Sequence, residues 1–170
     1  LHTVAIDDPR LGGLMHLIDG HDLGEVAFAV ASYLENADGV LAKVLGRLGH
    51  DSARDIVEKS RQALRDLGQE LEFLSLMTEP GELRGSWVLN PRWHTVAFDV
   101  ASSNDTVLLT VAINAVRVIQ QIWDRLLDDR WPPDVRDLLK SQRKRICEVE
   151  ESLLEARSRV GRSRTSVRDG

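Results

Sequence analysis

The stretch "TVLLTVAINAVRVIQQIWDRLL", Thr106 to Leu127, has the length and period of one helix, and its only charges are Arg117, Asp124 and Arg125. At about 100° per residue, Thr110, Asn114, Arg117, Gln121, Asp124 and Arg125 share one arc of roughly 100°. Apolar side chains fill most of the remaining arc of about 240°, broken only by Gln120. A helix on the surface of a domain needs an apolar stripe only a little wider than about 100°. The surplus requires cover, because a soluble monomer rarely leaves so large an apolar patch bare. One cover is the preceding link, which carries Trp87, Trp93 and Phe98. The other is the same helix of a second subunit meeting it across a two-fold axis. The expectation is a homodimer through this helix, with the link completing the cover. Ile113, Val116 and Trp123 mark one flank, and Val111 and Val118 the other.

Helical spacing extends outward from this stretch in both directions. A first helix is predicted over about 11–37, where "NADG" at Asn36 to Gly39 supplies a stop. A second is predicted over about 40–77, with Leu41, Leu45, Leu48, Ile56, Leu64, Leu67, Leu71 and Leu74 in helical register. Gly46, Gly49 and Gly68 each weaken it by roughly 1 kcal/mol relative to Ala, so a kink is expected there. The link 78–105 holds "TEPGELRGSW" and "LNPRW", both rich in turn residues, and "RWHTVAFDVA" between them reads as a short helix. "SSND" reads as loop plus N-cap before the third helix at 106–127. Pro132 and Pro133 then stop one element, and Asp134 opens a fourth helix over 134–160. Its apolar positions are read as Val135, Leu138, Ile146, Val149, Leu153, Ala156 and Val160, and Glu155 and Arg159 are spaced for an ion pair. The tail 161–170 lacks an apolar pattern and is expected to fray. Four long helical segments with two short links and one long one predict an all-α, antiparallel four-helix bundle in a single domain, 1–170.

Composition narrows the function classes. The net charge is −5 with both signs interspersed, which is not the basic footprint of a nucleic-acid binder. No run of about 18 apolar residues occurs, so no membrane span is expected. The opening "LHTVAIDDPR" has neither the basic start nor the apolar core of a secretory signal, and cytoplasmic residence is the expectation. Cys147 is the single cysteine, which excludes an internal disulfide and a thiolate-rich metal site.

Chemistry is sparse. Bundle metalloproteins gather carboxylates and Glu-x-x-His pairs from facing helices, and this chain contains no Glu-x-x-His. The nearest material is His21 with Glu25, one turn apart on a stripe with Leu14, Ile18 and Phe28. Both residues read more simply as the wet edge of an apolar face. Asp51 and Asp55, with His50 alongside, read as a solvated face. Neighbouring positions diverge by about 100° on a helix, so His50, Asp51 and Ser52 do not make a triad. Cys147 reads as a small packed hydrophobe. Trp87, Trp93, Trp123 and Trp131 read as core or interface anchors.

"LMHLIDGHDLGEVAFAVA" (Leu14 to Ala31), "DGVLAKVL" (Asp38 to Leu45), Gly85–Ser86, Arg92–Trp93 and "PPDVRDLLKSQRKRICEVEESL" (Pro132 to Leu153) together resemble the small bacterial ferritin-like four-helix-bundle proteins of uncharacterised function. Leu14, Leu17, Ile18, Gly24, Glu25 and Phe28 carry the likeness in the first helix. The resemblance implies a ferritin-like bundle with a long, partly helical link. It departs at Asn114, Ala115 and Val116, where such proteins often carry Gly-Glu-Asp. The last helix has Glu148 and Glu150 but no histidine. These departures argue against an intact di-iron site. No catalytic, cofactor or metal residue is therefore assigned. The expected function is non-enzymatic, through self-association or partner binding. The alternatives are a degenerate metal site near His21 and Glu25, and carriage of a small apolar ligand.

Overall fold

The computed structural model describes residues 4–5, 16–17, 23–77, 104–128 and 131–166. Four helices carry nearly all of it: α1 (Leu23–Leu45), α2 (Asp51–Met77), α3 (Asp105–Leu127) and α4 (Pro133–Ser166). The only strands described are Val4–Ala5 and His16–Leu17, a two-residue antiparallel pairing. The fold is all-helical, as expected, and compatible with a bundle. Each helix packs on two others, α1 on α2 and α3, and α4 on α3 and α2.

The first helix differs from the sequence reading at both ends, and the second at its start, while its end at Met77 is as read. His16 and Leu17 lie in the short pairing, and helix begins only at Leu23. "NADG" does not stop α1, which runs through it to Leu45. Ala37 and Val40 are buried on either side of Asp38, and Asp38 is held by Arg61 and Arg65 of α2. Packing here overrides local turn chemistry. The break falls instead at 46–50, where Gly46 and Gly49 bracket the buried Leu48. Arg54 closes this turn by donating to the Leu45 and Leu48 carbonyls at 3.1 and 3.0 Å. Gly68 causes no break in α2. A Cβ there would lie 3.4 Å from the Leu34 side chain, so the glycine lets α1 and α2 approach closely.

α3 matches its prediction to within one residue. Asn104 is its N-cap and accepts from the Thr106 N–H at 3.0 Å. By length and composition α3 is also the one described helix that matches a membrane span, but most of that stretch is buried inside the chain. α4 begins at Pro133, a position where a missing N–H costs nothing. It continues to Ser166, well past the predicted end at 160. The turn before it is fixed by Trp131, whose indole donates to the Leu126 carbonyl at 2.7 Å.

Candidate functional site

Neither flank of α3 is open. Ile113, Val116 and Trp123 are fully buried, and Val111 and Val118 nearly so, within one chain. The apolar surplus of this helix is therefore covered without a second subunit. Among its large apolar residues only Val107 is exposed, and Leu127 at the end of the helix is half-buried.

The fourth helix meets the core on the stripe read from sequence, Val135, Ile146, Val149, Leu153, Ala156 and Val160, with one exchange. Leu139 is the buried residue and Leu138 is half-buried. The next inward position is Gln142, completely buried among apolar neighbours. Its amide is fully used. The Trp123 indole donates to its Oε1 at 3.2 Å. Its Nε2 donates to the Leu67 carbonyl at 3.4 Å and to Glu70 Oε2 at 3.1 Å. Arg145, one turn on, forks onto both carboxylate oxygens of Glu70. The Arg145 guanidinium holds the Glu70 carboxyl below its ordinary value, with Gln142 assisting and partial burial opposing. One polar chain thus joins α3, α4 and α2. Sequence reading missed it because Gln142 is polar, although its spacing from Leu139 and Ile146 places it on the buried stripe.

Outside this chain, α2 and α4 enclose an open groove of ≈ 470 Å³ lined by Asp66, Gln69, Glu70, Phe73, Leu74 and Leu138. Phe73 is 66% exposed and Leu76, one turn further, 79%. On α1, Phe28 is 77% exposed. These outward apolar residues were not singled out from sequence, where Phe28 was placed on an inward stripe.

The other candidates stand as follows. His21 lies outside the described residues, and Glu25 falls in the first turn of α1. Trp87, Trp93 and Phe98, with the rest of the link, also lie outside them. His50 precedes α2 and does not sit within a helix, so the 100° separation does not apply to it. Its Nδ1 is 3.0 Å from Ser52 Oγ in an exposed contact. Asp51 is exposed, and Asp55 pairs with Lys59 at 2.8 Å. Asp105 is turned to structure, its Oδ1 accepting the Gly49 N–H at 3.0 Å. Cys147 is half-buried against Arg143, which also pairs with Asp124 at 2.6 Å. Among the described residues no three His, Cys, Asp or Glu side chains gather to hold a metal ion. Comparison of the chain with protein-family models, curated proteins and solved structures returns no match.

Proposed function

We propose that this chain is a non-enzymatic, ferritin-like antiparallel bundle that works through protein contacts made on its α2–α4 face. The direction of the helices is supported by side-chain partners. Thr110, Arg117 and Asp124 of α3 meet Arg157, Glu150 and Arg143 of α4, so one sequence ascends as the other descends. Leu34 against Gly68 and Asp38 against Arg61 give the same relation for α1 and α2. The Gly49–Asp105 hydrogen bond places the start of α3 beside the α1–α2 turn. The end of α2 and the start of α3 then lie at opposite ends of the bundle, which fits the ferritin-like connectivity. A cytoplasmic setting in a bacterium belongs to the same reading.

The observation that carries the contact role is the exposure of Phe73 and Leu76 beside an open groove, while α3 is covered inside the chain. Burying an exposed Phe is worth about 1.5–3 kcal/mol, so this face gains from a partner. The flanks of α3 are buried within one chain, and on this reading the contacts are made by α2 and α4. A photo-activatable residue at position 73, expressed in the full chain in cells, tests the reading. The expected result is a protein adduct at 73 and none from position 55 on the same helix. Absence of an adduct at 73, or stoichiometric iron retained through gel filtration with ferroxidase turnover, overturns it.

A further inference from the structure

Resting on that reading of the groove, we infer that its occupant is a cationic amphipathic helix of a partner protein. The floor is apolar, formed by Phe73, Leu74 and Leu138. Carboxylates stand at its two ends. Asp66 lines the groove two turns before Phe73 on α2, and Asp134 lies exposed one turn before Leu138 on α4. Arg145, which reaches the groove's Glu70, is committed to that carboxylate. The last turn of α2 carries no basic residue of its own to offset the negative end of the helix dipole.

Dimensions fix the ligand's pattern. From Asp66 to Leu74 is about 12 Å of helix rise, and Leu138 back to Asp134 adds about 6 Å. With α2 and α4 running in opposite directions, the carboxylates bracket the floor by about 18 Å. A helix spanning that distance places two cations about twelve residues apart. Apolar side chains at three- and four-residue spacing fall between them, the usual mode of a helix laid in a groove. A second copy of this chain suits the face poorly, because a two-fold axis at Phe73 would set the Asp66 and Asp134 carboxylates of both copies into one interface. Like charges brought together at an interface suppress that pairing.

The test uses the full chain and a model helical peptide of about 18 residues. The peptide has Leu at three- and four-residue spacing between Lys pairs, and its counterpart has Glu in place of Lys. Calorimetry should show saturable one-to-one binding of the Lys peptide and none of the Glu peptide. Phe73→Ser should weaken it about tenfold or more, and Asp66→Asn with Asp134→Asn should weaken it further in low salt. Phe73 is exposed, so the Ser variant should keep the wild-type circular dichroism and melting curve. Equal binding of both peptides, no saturable binding of the Lys peptide, or unchanged affinity in the Ser variant overturns the inference. A wild-type dimer that the Lys peptide does not displace but Phe73→Ser dissociates also overturns it. That outcome assigns the face to a second copy and leaves the contact role intact, whereas a missing photo-adduct at 73 removes the role itself.

Discussion

α3 and α4 lie side by side and meet the same core in opposite ways. α3 is buried around most of its circumference, with Leu108, Val111, Ile113, Val116, Val118 and Trp123 covered in turn. α4 is longer, 34 residues against 23, yet buries only one seam. Its inward positions, Val135, Leu139, Gln142, Ile146, Val149 and onward, step by four and three without interruption. That is the narrow a/d stripe of coiled-coil packing. A helix buried all round has little freedom to change, whereas a seam helix concentrates its constraints at one position in each half-heptad. α4 also carries the contrast inside itself, since one of its seam positions is an amide.

Trp123→Ala should show the largest effect. The side chain is fully buried, and removing it leaves a cavity plus an unpaired Gln142 oxygen. A loss of about 3–5 kcal/mol is expected in urea unfolding. A loss under 1 kcal/mol would mean that α3 is less tightly enclosed than its burial states.

Gln142→Leu probes the seam. Volume is nearly kept, but the Trp123 indole loses its acceptor and Glu70 loses a donor, for an expected cost of about 1–3 kcal/mol. A more stable variant would show that the amide serves specificity alone, as an apolar replacement can in other buried polar sites.

Acidity acts on the same chain at a smaller scale. The Glu70 carboxyl titrates lower in the folded chain than when unfolded, so its stabilisation is complete above the usual carboxylate value of about 4.3. It is lost as pH falls through the lower, folded value. The carboxylate is 37% exposed, so solvent screens the pair and the effect is modest. Urea midpoints at about pH 7 and pH 3 should differ less for Glu70→Gln than for wild type.

The outer face of α4 should be nearly indifferent. Glu155 and Arg159 pair across one turn with both side chains more than half exposed. Arg159→Ala is expected to cost a few tenths of a kcal/mol in the same assay. A cost comparable to that of Gln142→Leu would erase the distinction between seam and face.

The sequence reading succeeded where period and cap agreed. α3 was legible because Asn104 precedes an unbroken apolar pattern, and α4 because two prolines and Asp134 open it. It failed where local and tertiary terms conflict. "NADG" carries a stop signal that the burial of Ala37 and Val40 overrules, and the true break at 46–50 falls at Gly46 and Gly49, where the sequence marked only a kink. The inward stripe of α4 was read correctly at Val135 and from Ile146 onward, but Leu138 stood for Leu139 and the polar Gln142 between them was not counted. Nothing local marks an amide whose partners are 19 and 72 residues away. The excess apolar arc of α3 was countable from sequence, but what covers it is a tertiary fact. Phe73 and Leu76 were invisible as a face because exposure is not a property of a residue type.

The Gly49–Asp105 hydrogen bond spans 56 positions of chain, and it divides the molecule in kinetic terms. Each side of it is a pair of helices close in sequence, α1 and α2 across 46–50 in one half and α3 and α4 in the other. Such hairpins form from near neighbours and should be made early. Bringing one against the other must await closure of a far longer loop, although doubling that loop adds only about 0.6 kcal/mol. The hairpin that answers need not belong to the same chain. The donors and acceptors that Gln142 finds on α2 are identical in every copy, so two crowded nascent chains can trade their second hairpins and satisfy each native contact in trans.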